Sequence, residues 1–102
     1  MELKPGSRWR SAVCSTEVVI VRPPSAPVSL ECGGQPLIAF AAERVEGAAP
    51  ATEHAAGTAA GKRYFDADSG LEVLASKAGD GSLSVGGKAL ARKDAKALPS
   101  SD

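Results

Sequence analysis

The feature that most constrains this chain is that it repeats itself. GSRWRSAVCSTEVV (6–19) aligns without gaps with GKRYFDADSGLEVL (61–74): Gly6 meets Gly61, Arg8 meets Arg63, Trp9 meets Tyr64, Glu17 meets Glu72 and Val18 meets Val73. SLECGGQPL (29–37) aligns with SLSVGGKAL (82–90), where Ser, Leu, both glycines and the last Leu coincide. The blocks come in the same order. Their difference in length falls in the loop between them, RPPSAPV in the first copy and the region around AGDG in the second. A tandem duplication leaves this pattern; chance likeness of glycine-rich text is the competing reading. A unit of about 40 residues rarely stands alone, so two such copies are expected to share one core.

Each copy reads as β. TEVVIVR (16–22) and GLEVLAS (70–76) are short runs of Val, Leu and Ile, and VSLEC (28–32) and GSLSV (81–85) are the returning strands. PPSAP and AGDG carry turn chemistry, and Asp80-Gly81 is a pair favoured in tight hairpins. Gly33-Gly34 and Gly86-Gly87 predict a second tight turn, followed by QPLIAF (35–40) and KALARK (88–93). The spacing therefore predicts a three-stranded meander in each copy. The organisation expected is a first repeat over 1–45, an Ala/Gly-rich linker over 46–60 and a second, cysteine-free repeat over 61–102. A short helix is allowed near 41–46, and a strand end followed by a frayed terminus is expected over 94–102.

Charge excludes some classes. Twelve basic and twelve acidic residues leave a net charge of zero, so the chain lacks the basic surplus that nucleic-acid backbones require. No apolar run reaches membrane-spanning length. Residues 1–12 lack the apolar core of a secretory signal, so a cytoplasmic location is expected, with Cys14 and Cys32 reduced. Nucleophile elbows, phosphate loops and HExxH helices are missing from the text. AGDGSLSVGG is glycine-rich but lies between strands, so it reads as turn chemistry.

The segment SAVCSTEVVIV…VSLECGGQPL resembles the desulforedoxin knuckle, which also forms the N-terminal domain of desulfoferrodoxin. That family carries CxxC near the first strand and Leu-x-Cys-Cys-Gly-x-x-Met later, and its four thiolates hold one iron. Cys14 matches the second cysteine of the CxxC and Ser11 stands at the first. Cys32 matches the first of the adjacent pair, Gly33 stands at the second and Leu37 replaces the Met. In the second copy Ser69 and Val85 stand where Cys14 and Cys32 do. The resemblance implies an all-β fold of two tandem small β-meander, desulforedoxin-like units packed with pseudo-twofold symmetry, like that family's homodimer fused into one chain. It also implies that Cys14 and Cys32 still face each other, with sulfurs roughly 3.8 Å apart if tetrahedral spacing survives.

Three fates are open to that pair: small buried side chains, a disulfide, or a metal site for iron or zinc. The last needs donors from elsewhere, a second chain or His54 with an aspartate. His54 reads otherwise as an exposed linker histidine. Asp66 and Asp68 read as a turn cap. Trp9 and Tyr64 are expected to pack on the pseudo-twofold axis as core, or to form a binding platform. Arg8, Arg63, Glu17 and Glu72 suggest cross-strand ion pairs.

The function expected first is a non-catalytic binding or accessory module for a protein partner. It holds no cofactor and contacts neither nucleic acid nor membrane. The chain would be a monomer of pseudo-dimeric fold, or a homodimer. The alternatives are an iron or zinc redox protein using Cys14 and Cys32 with ligands from a second chain, and a thiol–disulfide switch.

Overall fold

The computed structural model describes residues 3–43 and 49–93. Among the described residues ten short strands run β1 Arg8–Arg10, β2 Glu17–Arg22, β3 Leu30–Cys32, β4 Gln35–Pro36, β5 Ile38–Ala39, β6 Arg63–Phe65, β7 Glu72–Lys77, β8 Leu83–Val85, β9 Lys88–Ala89 and β10 Ala91–Lys93. One turn of 3-10 helix, Thr52–His54, lies between β5 and β6. The fold is all-β, in two antiparallel sheets: six strands in the order β10-β6-β7-β2-β1-β5 and four in the order β4-β3-β8-β9. Among the described residues no helix is long and apolar enough to cross a membrane.

The two central ladders, β2 with β7 and β3 with β8, join the two segments aligned in the sequence. In the larger sheet Val18 faces Ala75 and Ile20 faces Val73; in the alignment of the copies Val18 answers to Val73 and Ile20 to Ala75. In the smaller sheet Leu30 faces Val85 and Cys32 faces Leu83, the counterparts of Cys32 and Leu30 respectively. Each residue thus faces the counterpart of its neighbour on the same strand.

The core follows from strand alternation. Val18 and Ile20 point inward from β2, Val73 and Ala75 from β7, and Leu30, Cys32 and Leu83 come from the other sheet. All are nearly or fully removed from solvent, and each large aliphatic contributes about 1.5–3 kcal/mol of burial. Val21, pointing outward, is 40% exposed.

Two elements differ from the sequence expectation. Strands 17–22 and 30–32 do not lie side by side in one meander; they belong to different sheets. Pro23, Pro24 and Pro27 crowd the segment between them, and a chain lacking those N–H groups crosses between sheets instead of closing a ladder. Asp80-Gly81 lies in the equivalent crossing between β7 and β8, which also occupy different sheets. The glycine pairs behave as expected: Gly33 and Gly34 have φ of 67° and 87°, Gly86 and Gly87 of 57° and 86°. They close two-residue hairpins in which Cys32 faces Gln35 and Val85 faces Lys88.

Trp9 and Tyr64 do not meet on an axis. They sit on β1 and β6, with β7 and β2 between them. Tyr64 is buried and its hydroxyl accepts the Ala59 N–H at 2.9 Å; the Trp9 indole donates to Ser7 Oγ at 3.2 Å. The expected helix near 41–46 and the tail over 94–102 fall largely or wholly outside the described residues, as does the boundary at 45/46.

Candidate thiol-pair site

Cys14 and Cys32 come together, Sγ to Sγ at 3.8 Å. Cys32 closes β3 and is fully buried; Cys14 is half-buried in the turn between β1 and β2. Neither forms a disulfide.

The turn that presents Cys14 is built on Ser11. Ser11 Oγ accepts the backbone N–H groups of Val13 and Cys14, each at 3.1 Å, and the Ser11 N–H donates to the Thr16 carbonyl at 2.9 Å. The Cys14 thiol donates to Ser11 Oγ at 3.2 Å, and once the sulfur is ionised the hydroxyl can turn its own proton to it. Thr16 Oγ1 lies 3.3 Å from the same sulfur. Ser11 and Thr16 are both fully buried.

The remaining wall comes from the far copy. Gly81 donates its N–H to Cys14 Sγ at 3.4 Å. Thr58 holds that segment down: its backbone pairs with Gly79, and its hydroxyl donates to the Gly81 carbonyl at 2.7 Å. The approach is too close for side chains. A Cβ on Gly79 would collide with Thr16 and lie 2.9 Å from Cys14 Sγ; one on Gly81 would lie 3.1 Å from Cys32 Sγ.

These contacts split the two thiols. Burial pushes Cys14 up, but the hydroxyls of Ser11 and Thr16 and the N–H groups of Thr16 and Gly81 outweigh it and lower the thiol to about 7. Burial pushes Cys32 up to about 12, and the neighbouring Cys14 charge adds to it. Cys14 is the acidic, accessible member and Cys32 the protonated, enclosed one.

A four-thiolate metal knuckle does not fit these residues. Its positions hold two thiols, a serine hydroxyl already accepting two N–H groups, and Gly33, where a Cβ would collide with Val13 Cγ2 at 2.6 Å. Among the described residues no three His, Cys, Asp or Glu gather where a metal ion could be held. His54 is half-buried rather than exposed, because the linker folds back over the Gly33-Gly34 turn. The Ala51 N–H donates to the Gly33 carbonyl, the Ser82 N–H donates to the His54 carbonyl, and the imidazole covers Gly34.

The aligned second segment has the same turn without thiols. Asp66 stands at the Ser11 position, and its carboxylate accepts the Ser69 N–H at 3.3 Å and hydroxyl at 2.7 Å. Asp66 is thus the turn cap expected, and Asp68 pairs with Lys88 on the surface at 2.7 Å. Of the expected Arg–Glu pairs, Arg63–Glu72 forms at 3.3 Å, while Arg8 lies over the Phe40 ring at 4.3 Å.

Sequence reading found both cysteines. It missed Thr16, for which Ser-x-x-Cys-x-Thr offered a local signal, and Gly79 and Gly81, for which nothing nearby in the chain did. No family model, no curated protein and no solved structure matches the chain.

Proposed function

We propose that this protein is a small non-enzymatic module whose Cys14–Cys32 pair acts as a thiol–disulfide switch. The observation that carries it is the 3.8 Å approach of an accessible thiol to an enclosed one. Closing to the bonded distance of about 2.05 Å needs only a modest shift, and Cys14 sits in a turn rather than a ladder. In the forward direction the two thiols give up two protons and two electrons to a two-electron oxidant, either a disulfide that becomes two thiols or a hydroperoxide that becomes an alcohol and water. The hydrogen bonds at Cys14 favour the thiolate that begins such an exchange.

The reciprocal ladders support reading the chain as a duplicated unit whose halves dock as a fused pair. Only the first half retains thiols, so one switch serves one two-copy body. The accessory role, with a protein partner reading the switch, rests on the absence of catalytic motifs from the sequence.

Intact mass after alkylation tests the switch. Reduced protein should take up two alkyl groups. Oxidised protein should take up none and weigh about 2 Da less than the dithiol, for two hydrogens lost. Two alkyl groups after every oxidant would refute the reading, and a metal retained on the native chain would replace it.

A further inference from the structure

Resting on that reading, the geometry points to a small hydroperoxide as the oxidant that closes the pair, with Cys14 attacking and Cys32 resolving. Cys14 Sγ is walled by Ser11 Oγ at 3.2 Å, Thr16 Oγ1 at 3.3 Å, Gly81 N at 3.4 Å and Cys32 Sγ at 3.8 Å. A bulky disulfide must bring two substituted sulfurs in line with the attacking one. A hydroperoxide brings a single oxygen bearing one hydrogen. The walls that hinder the first admit the second, and they are polar: two buried hydroxyls and an N–H can hydrogen-bond an oxygen attached to the sulfur.

The chemistry balances without a further component. The Cys14 thiolate attacks the terminal oxygen of ROOH and the O–O bond breaks. Sulfur loses two electrons and becomes the sulfenic acid, while the departing RO⁻ takes a proton and leaves as ROH. The Cys32 sulfur then attacks Cys14 Sγ. The S–O bond breaks, the hydroxyl departs with the Cys32 proton as water, and the disulfide remains. Cys32, fully buried beside the reacting sulfur, intercepts the sulfenic acid before a second peroxide does. Low-molecular-weight thiols are the class of reductant that reopens the bond.

The test compares oxidants on the full reduced chain, by time-resolved alkylation and intact mass. Hydrogen peroxide should close the Cys14–Cys32 bond at least about tenfold faster than equimolar oxidised glutathione, because the small oxidant reaches the sulfur more readily. In Cys32→Ser the peroxide should leave one added oxygen on Cys14, trapped by dimedone; in Cys14→Ser, Cys32 should stay unmodified. The wild-type rate comparison needs no variant, so it holds if Cys32→Ser fails to fold. If oxidised glutathione closes the bond as fast as peroxide, the switch stands and this inference falls. Dimedone on Cys32 in the wild type would overturn the order of attack. If neither oxidant closes the bond, the switch itself falls.

Discussion

Gly81 donates its backbone N–H to Cys14 Sγ across 67 residues of sequence. The same glycine would set a Cβ 3.0 Å from the backbone of Gly33 and 3.1 Å from Cys32 Sγ. Backbone cannot yield as a side-chain tip can, so Gly81→Ala is expected to push the 78–82 segment off the thiol pair. The expected loss is about 1–3 kcal/mol of stability, with a rise in the pH at which Cys14 becomes reactive. Urea unfolding and alkylation rate against pH measure the two effects.

Ser11→Ala removes the acceptor for two N–H groups and a hydrogen bond to sulfur at once. Leaving buried donors unpaired costs about 1–3 kcal/mol. The midpoint of Cys14 alkylation should move upward from about 7, since one of the contacts that lowers it is gone. A midpoint that does not move would mean that the hydroxyl does not stabilise the thiolate.

The pH dependence of stability has two arms with opposite signs. Cys14 is lowered from 9.0 to about 7 on folding, so its thiolate favours the folded state. That contribution is fully present above pH 9 and is lost as pH falls through about 7. Cys32 is raised from 9.0 to about 12, so its contribution is fully present below pH 9 and is lost as pH rises through about 12. Stability of the reduced protein from this pair should therefore climb from pH 7 to 9 and decline beyond it. Denaturant midpoints across that range check both arms, and Cys14→Ser should flatten the first.

The glycine turns separate strain from space. Gly33 and Gly86 stand at equivalent positions with φ of 67° and 57°. A Cβ on Gly86 meets nothing within 4 Å, whereas one on Gly33 meets Val13 Cγ2 at 2.6 Å and Pro50 Cβ at 2.9 Å. Gly86→Ala should cost only the left-handed backbone penalty, about 1–2 kcal/mol. Gly33→Ala should cost about 1–3 kcal/mol more, for overpacking. Thermal unfolding of the two variants gives the comparison.

Much of this architecture was legible because it depends on local text. Alternation in EVVIVR and EVLASK marks two strands with a buried face, and the Gly-Gly pairs mark two-residue hairpins. The resemblance to a metal knuckle implied a facing cysteine pair, and the two sulfurs lie 3.8 Å apart. Pairing was not legible. Whether β2 returns onto β3 or pairs with β7 depends on how the proline-rich crossing is routed, which no local pattern states. RWR and RYF carry too few apolar positions to announce β1 and β6 by period. The lid over the thiols was the least visible, because Gly79 and Gly81 read as ordinary turn glycines until the far copy is docked.

If Cys14 and Cys32 form one reversible intramolecular couple, a redox titration of the full chain against graded ratios of reduced to oxidised dithiothreitol, read by alkylation mass, will show it. One two-electron transition is expected, with both thiols disappearing together at a midpoint independent of protein concentration. Two free thiols at every ratio, or a midpoint that shifts with concentration as disulfide-linked dimers form, would contradict it.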